Sequence, residues 1–128
     1  MTPSRALSKL QRLVQIPTIS YPDKALMDTD VFDALLSAME ELFPLLHERL
    51  ELTRIGDHGL LFKWAGASSE RPVVLMAHLD VVPVDSDSGW THPPFDGVIA
   101  DGFLWGRGPL DDKGCVVGLC EAVETLLE

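Results

Sequence analysis

Val73-Val74-Leu75-Met76-Ala77-His78-Leu79-Asp80 opens the stretch that decides the fold, and Gly106-Arg107-Gly108-Pro109-Leu110-Asp111-Asp112-Lys113-Gly114 closes it. Val73 to Ala77 is an unbroken, partly β-branched apolar run, the pattern of a central strand covered on both faces. A helix of five residues between Pro72 and His78 fits the run less well. His78 and Asp80 follow directly, two residues apart. In extended chain such positions point to the same side. An imidazole and a carboxylate can therefore share one cavity at the strand's end, where open α/β sheets hold their ligands.

These two side chains suit a metal centre. Zinc takes neutral imidazole, and a ligand histidine commonly donates its other ring hydrogen to a carboxylate or carbonyl. Asp80 is placed to be that partner. Taken alone, His-x-Asp also fits a capping histidine beside a turn aspartate. At the far end, Asp111 and Asp112 sit between a glycine-rich loop and a helix start. One aspartate there satisfies capping and the helix dipole. Two adjacent ones exceed what capping needs, and carboxylates near a histidine suggest a divalent cation. Gly106 to Gly114 is not a phosphate loop. It lacks Gly-Lys-Ser/Thr, and paired aspartates would repel a phosphate.

Outward from this stretch the chain alternates helical and extended patterns. Thr2-Pro3 reads as the start of a helix carrying Leu7, Leu10, Leu13 and Val14, which stops before Pro17. Ile16 to Asp28 reads as a loop. Asp28 to Asp30 open a second helix with Val31, Phe32, Leu35, Leu36, Met39, Leu42 and Phe43 on one stripe, broken or kinked at Pro44. A strand that carries Leu50, Leu52 and Thr53 and ends near Gly56 reads as a hairpin with Leu60 to Trp64, around Gly56-Asp57-His58-Gly59. Val81 to Pro94 is a long irregular loop. Gly97 to Ala100 and Phe103 to Trp105 form a second hairpin on a tight Asp101-Gly102 turn. After Gly114 comes a helix whose expected buried face is Val116, Leu119, Cys120, Val123, Leu126 and Leu127.

Composition sets the outer limits. The 128 residues, 46% hydrophobic and 23% charged, suit one domain with a real core. Twenty acidic against 10 basic residues give a net charge of −10. That argues against nucleic acid or an anionic membrane surface as partner, and fits a site that gathers cations. No apolar run reaches membrane-spanning length. The N-terminus has no signal-peptide core. The two cysteines, Cys115 and Cys120, are spaced as buried thiols of a reducing compartment, so the expected location is the cytoplasm.

The paired motifs, with Leu75 to Pro83, Gly89-Trp90, Pro93-Pro94-Phe95, Asp101-Gly102 and Gly106 to Gly114, resemble the aminoacylase/carboxypeptidase family of zinc-dependent exopeptidases. That family includes acetylornithine deacetylase, succinyl-diaminopimelate desuccinylase, aminoacylase and carboxypeptidase S. The resemblance covers nearly the whole chain, including Ile16-Pro17-Thr18-Ile19-Ser20. The Gly-Trp and Pro-Pro-Phe segments look most like the carboxypeptidase S and N-acyl amino acid hydrolase branch.

The resemblance implies a fold, a site and a reaction. The fold is an α/β zinc-exopeptidase catalytic domain, a mixed sheet flanked by helices, of which residues 1–128 would be an incomplete N-terminal part. His78 matches a histidine that binds one zinc. Asp80 matches the aspartate that orients and polarises it, and Asp111 the carboxylate that bridges two zinc ions. The bond from Asp111 to Asp112 is then expected to be cis. Zn2+ is the expected metal, with Co2+ or Mn2+ able to use similar ligands. The expected reaction is hydrolysis of amide bonds in peptides or N-acyl amino acids by an activated water with a glutamate as base.

In the family that glutamate and the remaining ligands lie further along than the 17 residues after Asp111. Glu121, Glu124 and Glu128 stand too close to serve. The 128-residue piece alone is therefore expected to be inactive and to self-associate through uncovered edges. A homodimer is allowed in the full-length form, because the lid or dimerisation domain belongs to the absent part. The alternative is a non-catalytic metal-binding or protein-interaction module on the same fold.

Overall fold

The structure, a computed structural model, describes residues 4–85 and 89–128. The expected start of the first helix at Thr2-Pro3 lies outside the described residues. Helix α1 spans Arg5–Val14, and Ser4 caps it with an extended backbone and an Oγ that accepts from the Leu7 N–H at 3.2 Å. A short turn at Lys24–Leu26 follows, capped by the Asp23 side chain. Helix α2 runs Thr29–Leu42. Pro44 ends it and also starts a new helix, α3, Pro44–Arg49, because its fixed φ and missing N–H suit a first helical position.

Strands β1, Glu51–Ile55, and β2, Gly59–Lys63, pair antiparallel with Leu52 opposite Phe62. Strands β3, Val98–Ala100, and β4, Phe103–Trp105, form the second antiparallel hairpin. Its turn has Asp101 at φ 53° and Gly102 at φ 82°, the two positive angles that a tight Asp-Gly turn demands. A parallel bridge joins Ile19 to Val81. Helix α4, Gly114–Leu127, completes the described chain. The class is α/β and the sheet is incomplete, as expected.

The core lies among the four helices. Leu13, Ile16, Leu35, Ala38, Met39, Phe43, Leu46, Val116 and Val117 form one buried cluster. At roughly 1.5–3 kcal/mol for each large side chain removed from water, this cluster is the main stabilising element. The stripe expected on α2 is the face that packs here.

Two expectations are overturned. Val73 to Ala77 is not a covered central strand. Residues 73–77 join no sheet among the described residues, and Val73 and Met76 are each 84% exposed. A strand is buried only when neighbours occupy its edges and helices its faces. Here the β1–β2 hairpin is closed on itself, and nothing described reaches the edges of 73–77. The inward face of α4 also differs. Val117 and Glu124 are buried, whereas Leu126 is 74% exposed and the Cys115 thiol is at the surface. The packing of α4 against α1 and α3 turns Glu124 inward, where its Oε1 accepts the Leu46 N–H at 2.6 Å. That N–H lies in the first turn of α3, one of the donors a helix start leaves without an internal partner.

Candidate metal centre

Two arms of chain meet at the site. The first is residues 78–81. The Ile19–Val81 bridge fixes its end: the Ser20 N–H donates to the Val81 carbonyl and the Val81 N–H to the Thr18 carbonyl, both at 2.9 Å. The buried Thr18 hydroxyl donates to the Leu79 carbonyl at 2.7 Å.

The second arm is Gly106 to Gly114, delivered by β4. The Arg107 N–H donates to the Pro94 carbonyl at 2.6 Å. Gly108 then takes φ 95°, and a Cβ there would sit 2.6 Å from Val81 Cγ1. Glycine is required on both counts, for the backbone angle and for the close approach of the two arms. Residues Pro109–Lys113 wind a wide turn into α4, and the Asp111–Asp112 peptide bond is cis. Lys113 is wholly buried and donates from Nζ to the carbonyls of Leu13 at 2.9 Å and Ile16 at 2.7 Å.

The arms bring His78, Asp80, Asp111 and Asp112 together. His78 Nδ1 lies 3.0 Å from the Asp80 carbonyl oxygen and 3.2 Å from Asp80 Oδ1. Its Nε2 lies 2.9 Å from Asp111 Oδ1. The backbone N–H of His78 donates to Asp112 Oδ2 at 3.2 Å. Both oxygens facing Nδ1 are acceptors, so Nδ1 carries a hydrogen. Nε2 then faces a carboxylate with one of two outcomes: it holds a second proton, or it offers a lone pair to a cation shared with Asp111. The hydrogen bond to Asp111 raises the His78 pKa above its ordinary value, with Asp80 adding to the effect and partial burial opposing it. Asp112 is held below the usual carboxylate range, first by the Cys115 thiol and then by the His78 N–H. The same contact raises the Cys115 thiol.

An imidazole nitrogen converging with a carboxylate oxygen is a donor pair that first-row divalent ions accept. Among the described residues no group of three or more such side chains that could hold a metal ion forms. Residues 74–128, which hold all four of these side chains, match the model of peptidase family M20/M25/M40. Over 133 residues, 95% of this chain, the sequence is 38% identical to carboxypeptidase S of Saccharomyces cerevisiae, covering 23% of that protein.

The chain belongs to the M20/M25/M40 peptidase family.

This M20-family chain is also 46% identical over 86 residues to a probable carboxypeptidase S-like protein of Dictyostelium discoideum, 66% of the chain and 17% of the relative. It is 38% identical over 130 residues to an N-fatty-acyl-amino acid synthase/hydrolase of Danio rerio, 97% of the chain and 24% of the relative. The chain thus spans about a quarter or less of the length of these curated relatives. The family is generally metal-dependent, in keeping with the donor pair. Among the described residues no helix is long and apolar enough to cross a membrane.

The three site residues read from the sequence, His78, Asp80 and Asp111, all meet in the structure. The reading gave no role to Thr18, Ser20 or Lys113. Ser20 Oγ donates to Asp80 Oδ2 at 2.5 Å, which leaves Oδ1 for His78. Thr18 and Ser20 did lie in a stretch that resembled the family. Lys113 stood beside the paired aspartates, but its burial depends on where α1 ends.

Proposed function

We propose that this protein is a metal-dependent amidohydrolase acting on peptides or N-acyl amino acids, and that residues 1–128 are the N-terminal part of its catalytic domain. The observation that carries the reading is the approach of His78 Nε2 to Asp111 Oδ1 at 2.9 Å, with Nδ1 already engaged by Asp80. The relatives named as a carboxypeptidase and as an N-fatty-acyl-amino acid synthase/hydrolase support the substrate class.

In this reading His78 would hold a divalent ion through Nε2 and Asp111 would hold it through its carboxylate, in the role of a bridge where two ions bind, with Zn2+ first in line for this donor set. The chemistry such ions supply when bound is polarisation of the amide carbonyl and acidification of water. Asp80 accepts the Nδ1 hydrogen, which fixes the ring's tautomer and plane and makes Nε2 a stronger donor to a cation. Asp112 holds the backbone of His78 in place through its N–H.

The test is metal content and turnover of an N-acyl amino acid or dipeptide by the full-length protein. Asp111→Ala is expected to lose the bound metal and activity together. A variant that keeps full metal stoichiometry would remove the bridging role, and a metal-replete wild type without amidase activity would favour a non-catalytic metal-binding module.

A further inference from the structure

The segment from Leu13 to Ser20 touches both arms of the site. Toward the first arm, Thr18 holds the Leu79 carbonyl through its hydroxyl and the Val81 N–H through its carbonyl. Ser20 holds the Val81 carbonyl through its N–H and Asp80 Oδ2 through its hydroxyl. Toward the second arm, the carbonyls of Leu13 and Ile16 receive the Lys113 ammonium, two residues from Asp111. Thr18 and Lys113 are both at 0% exposure. Burying an ammonium is costly unless its donors are met, and a surface lysine could cap a helix end without that cost.

We infer that Thr18, Ser20 and Lys113 are positioning residues that make Leu13–Ser20 a brace between the two arms, setting the separation of His78 from Asp111. The inference rests on the metal-centre reading and assigns it three supports that touch no ligand atom of the metal directly. Ser20 holds one oxygen of Asp80, so the other faces His78 Nδ1. Lys113 fixes the turn that carries Asp111 to the end of α1. Thr18 fixes the backbone beside His78. Loss of a Thr18, Ser20 or Lys113 contact lets the two ligands drift apart without removing a side chain of the helical core, to which Leu13 and Ile16 belong and these three do not.

Cobalt(II) alone, titrated into metal-free full-length protein and followed by its visible absorption, tests this. Ser20→Ala and Lys113→Met are expected to weaken cobalt affinity roughly tenfold to a hundredfold, the size that supports of metal ligands carry, and to change the absorption band. Ser20→Thr, which keeps the hydroxyl, is expected to restore both. Circular dichroism confirms that each variant is folded. If Lys113→Met does not fold, the Ser20 pair decides. Folded Ser20→Ala with wild-type affinity and spectrum overturns the brace. Wild-type protein that binds no cobalt, or Asp111→Ala that binds it normally, overturns instead the metal-centre reading on which the brace stands.

Discussion

Replacing Lys113 with methionine removes a buried ammonium and keeps most of the side chain's bulk. Burial pushes the Lys113 pKa down from 10.5 to about 8, partly opposed by the negative charge of Asp80. At about 1.4 kcal/mol per pH unit, that difference makes the charged form cost about 3 kcal/mol in the folded state at neutral pH. The folded value lies below the unfolded one, so between pH 8 and 10.5 the unfolded chain binds more protons. Stability therefore rises with pH across that window, with the full penalty below about pH 8 and none above about 10.5.

Methionine has no such proton, so its stability lacks this slope. It also loses two charge-assisted hydrogen bonds, of about 1.5–3 kcal/mol each. Neither carbonyl is orphaned: Ile16 N–H still reaches the Leu13 carbonyl at 3.2 Å, and Thr18 N–H the Ile16 carbonyl at 2.9 Å. The relief offsets much of the loss at pH 7, leaving the variant about 0–3 kcal/mol less stable than wild type. From pH 7 to 9.5 the wild type should gain a further 2 kcal/mol or so on the variant. Urea unfolding of both proteins at pH 7, 8.5 and 9.5 measures the difference. A gap that stays constant with pH would show that Lys113 is not a buried ammonium and would refute the reasoning.

Two further perturbations follow from particular contacts. Glu124→Ala leaves the buried Leu46 N–H without its acceptor and should cost about 2 kcal/mol in chemical denaturation, whereas Glu124→Gln, which keeps an acceptor oxygen, should cost clearly less. In metal-free protein, NMR titration of His78 should give a midpoint above 6.5, and Asp111→Asn should move it down, because the Asp111 bond is the largest cause of the rise. The sign follows from the raised folded value. The contact's contribution is complete below pH 6.5 and is lost as the pH climbs through the folded midpoint. An unchanged midpoint in Asp111→Asn would remove the Nε2 contact.

Local signals in the sequence located most elements because each is written in adjacent residues. Asp101-Gly102 specifies a tight turn by backbone angles alone, and Pro44 stops one helix and opens the next for reasons internal to proline. The apolar stripe of α2 is read from its period, and the buried Phe32, Leu35, Leu36 and Met39 are on it, whereas the buried Ala38 is not. His78 and Asp80 are legible as partners because alternation along extended chain puts them on one side.

Other features depended on contacts between residues far apart. Val73 to Ala77 has the composition of a covered strand, but composition states what a segment tolerates, and cover comes from neighbours. Glu124 turns inward, and Leu126 out, because the start of α3 offers an unmet N–H across the core. A period along α4 cannot see that donor. Lys113 is charged and would be placed on the surface by any count of residue types. It is buried because α1 ends with two carbonyls at the reach of its ammonium, 97 and 100 positions away in sequence. By itself the sequence determined which side chains would meet, His78, Asp80 and Asp111. Only the tertiary structure decided how those groups are held, since hydrogen bonds from Thr18, Ser20 and Lys113 form between segments that folding alone brings together.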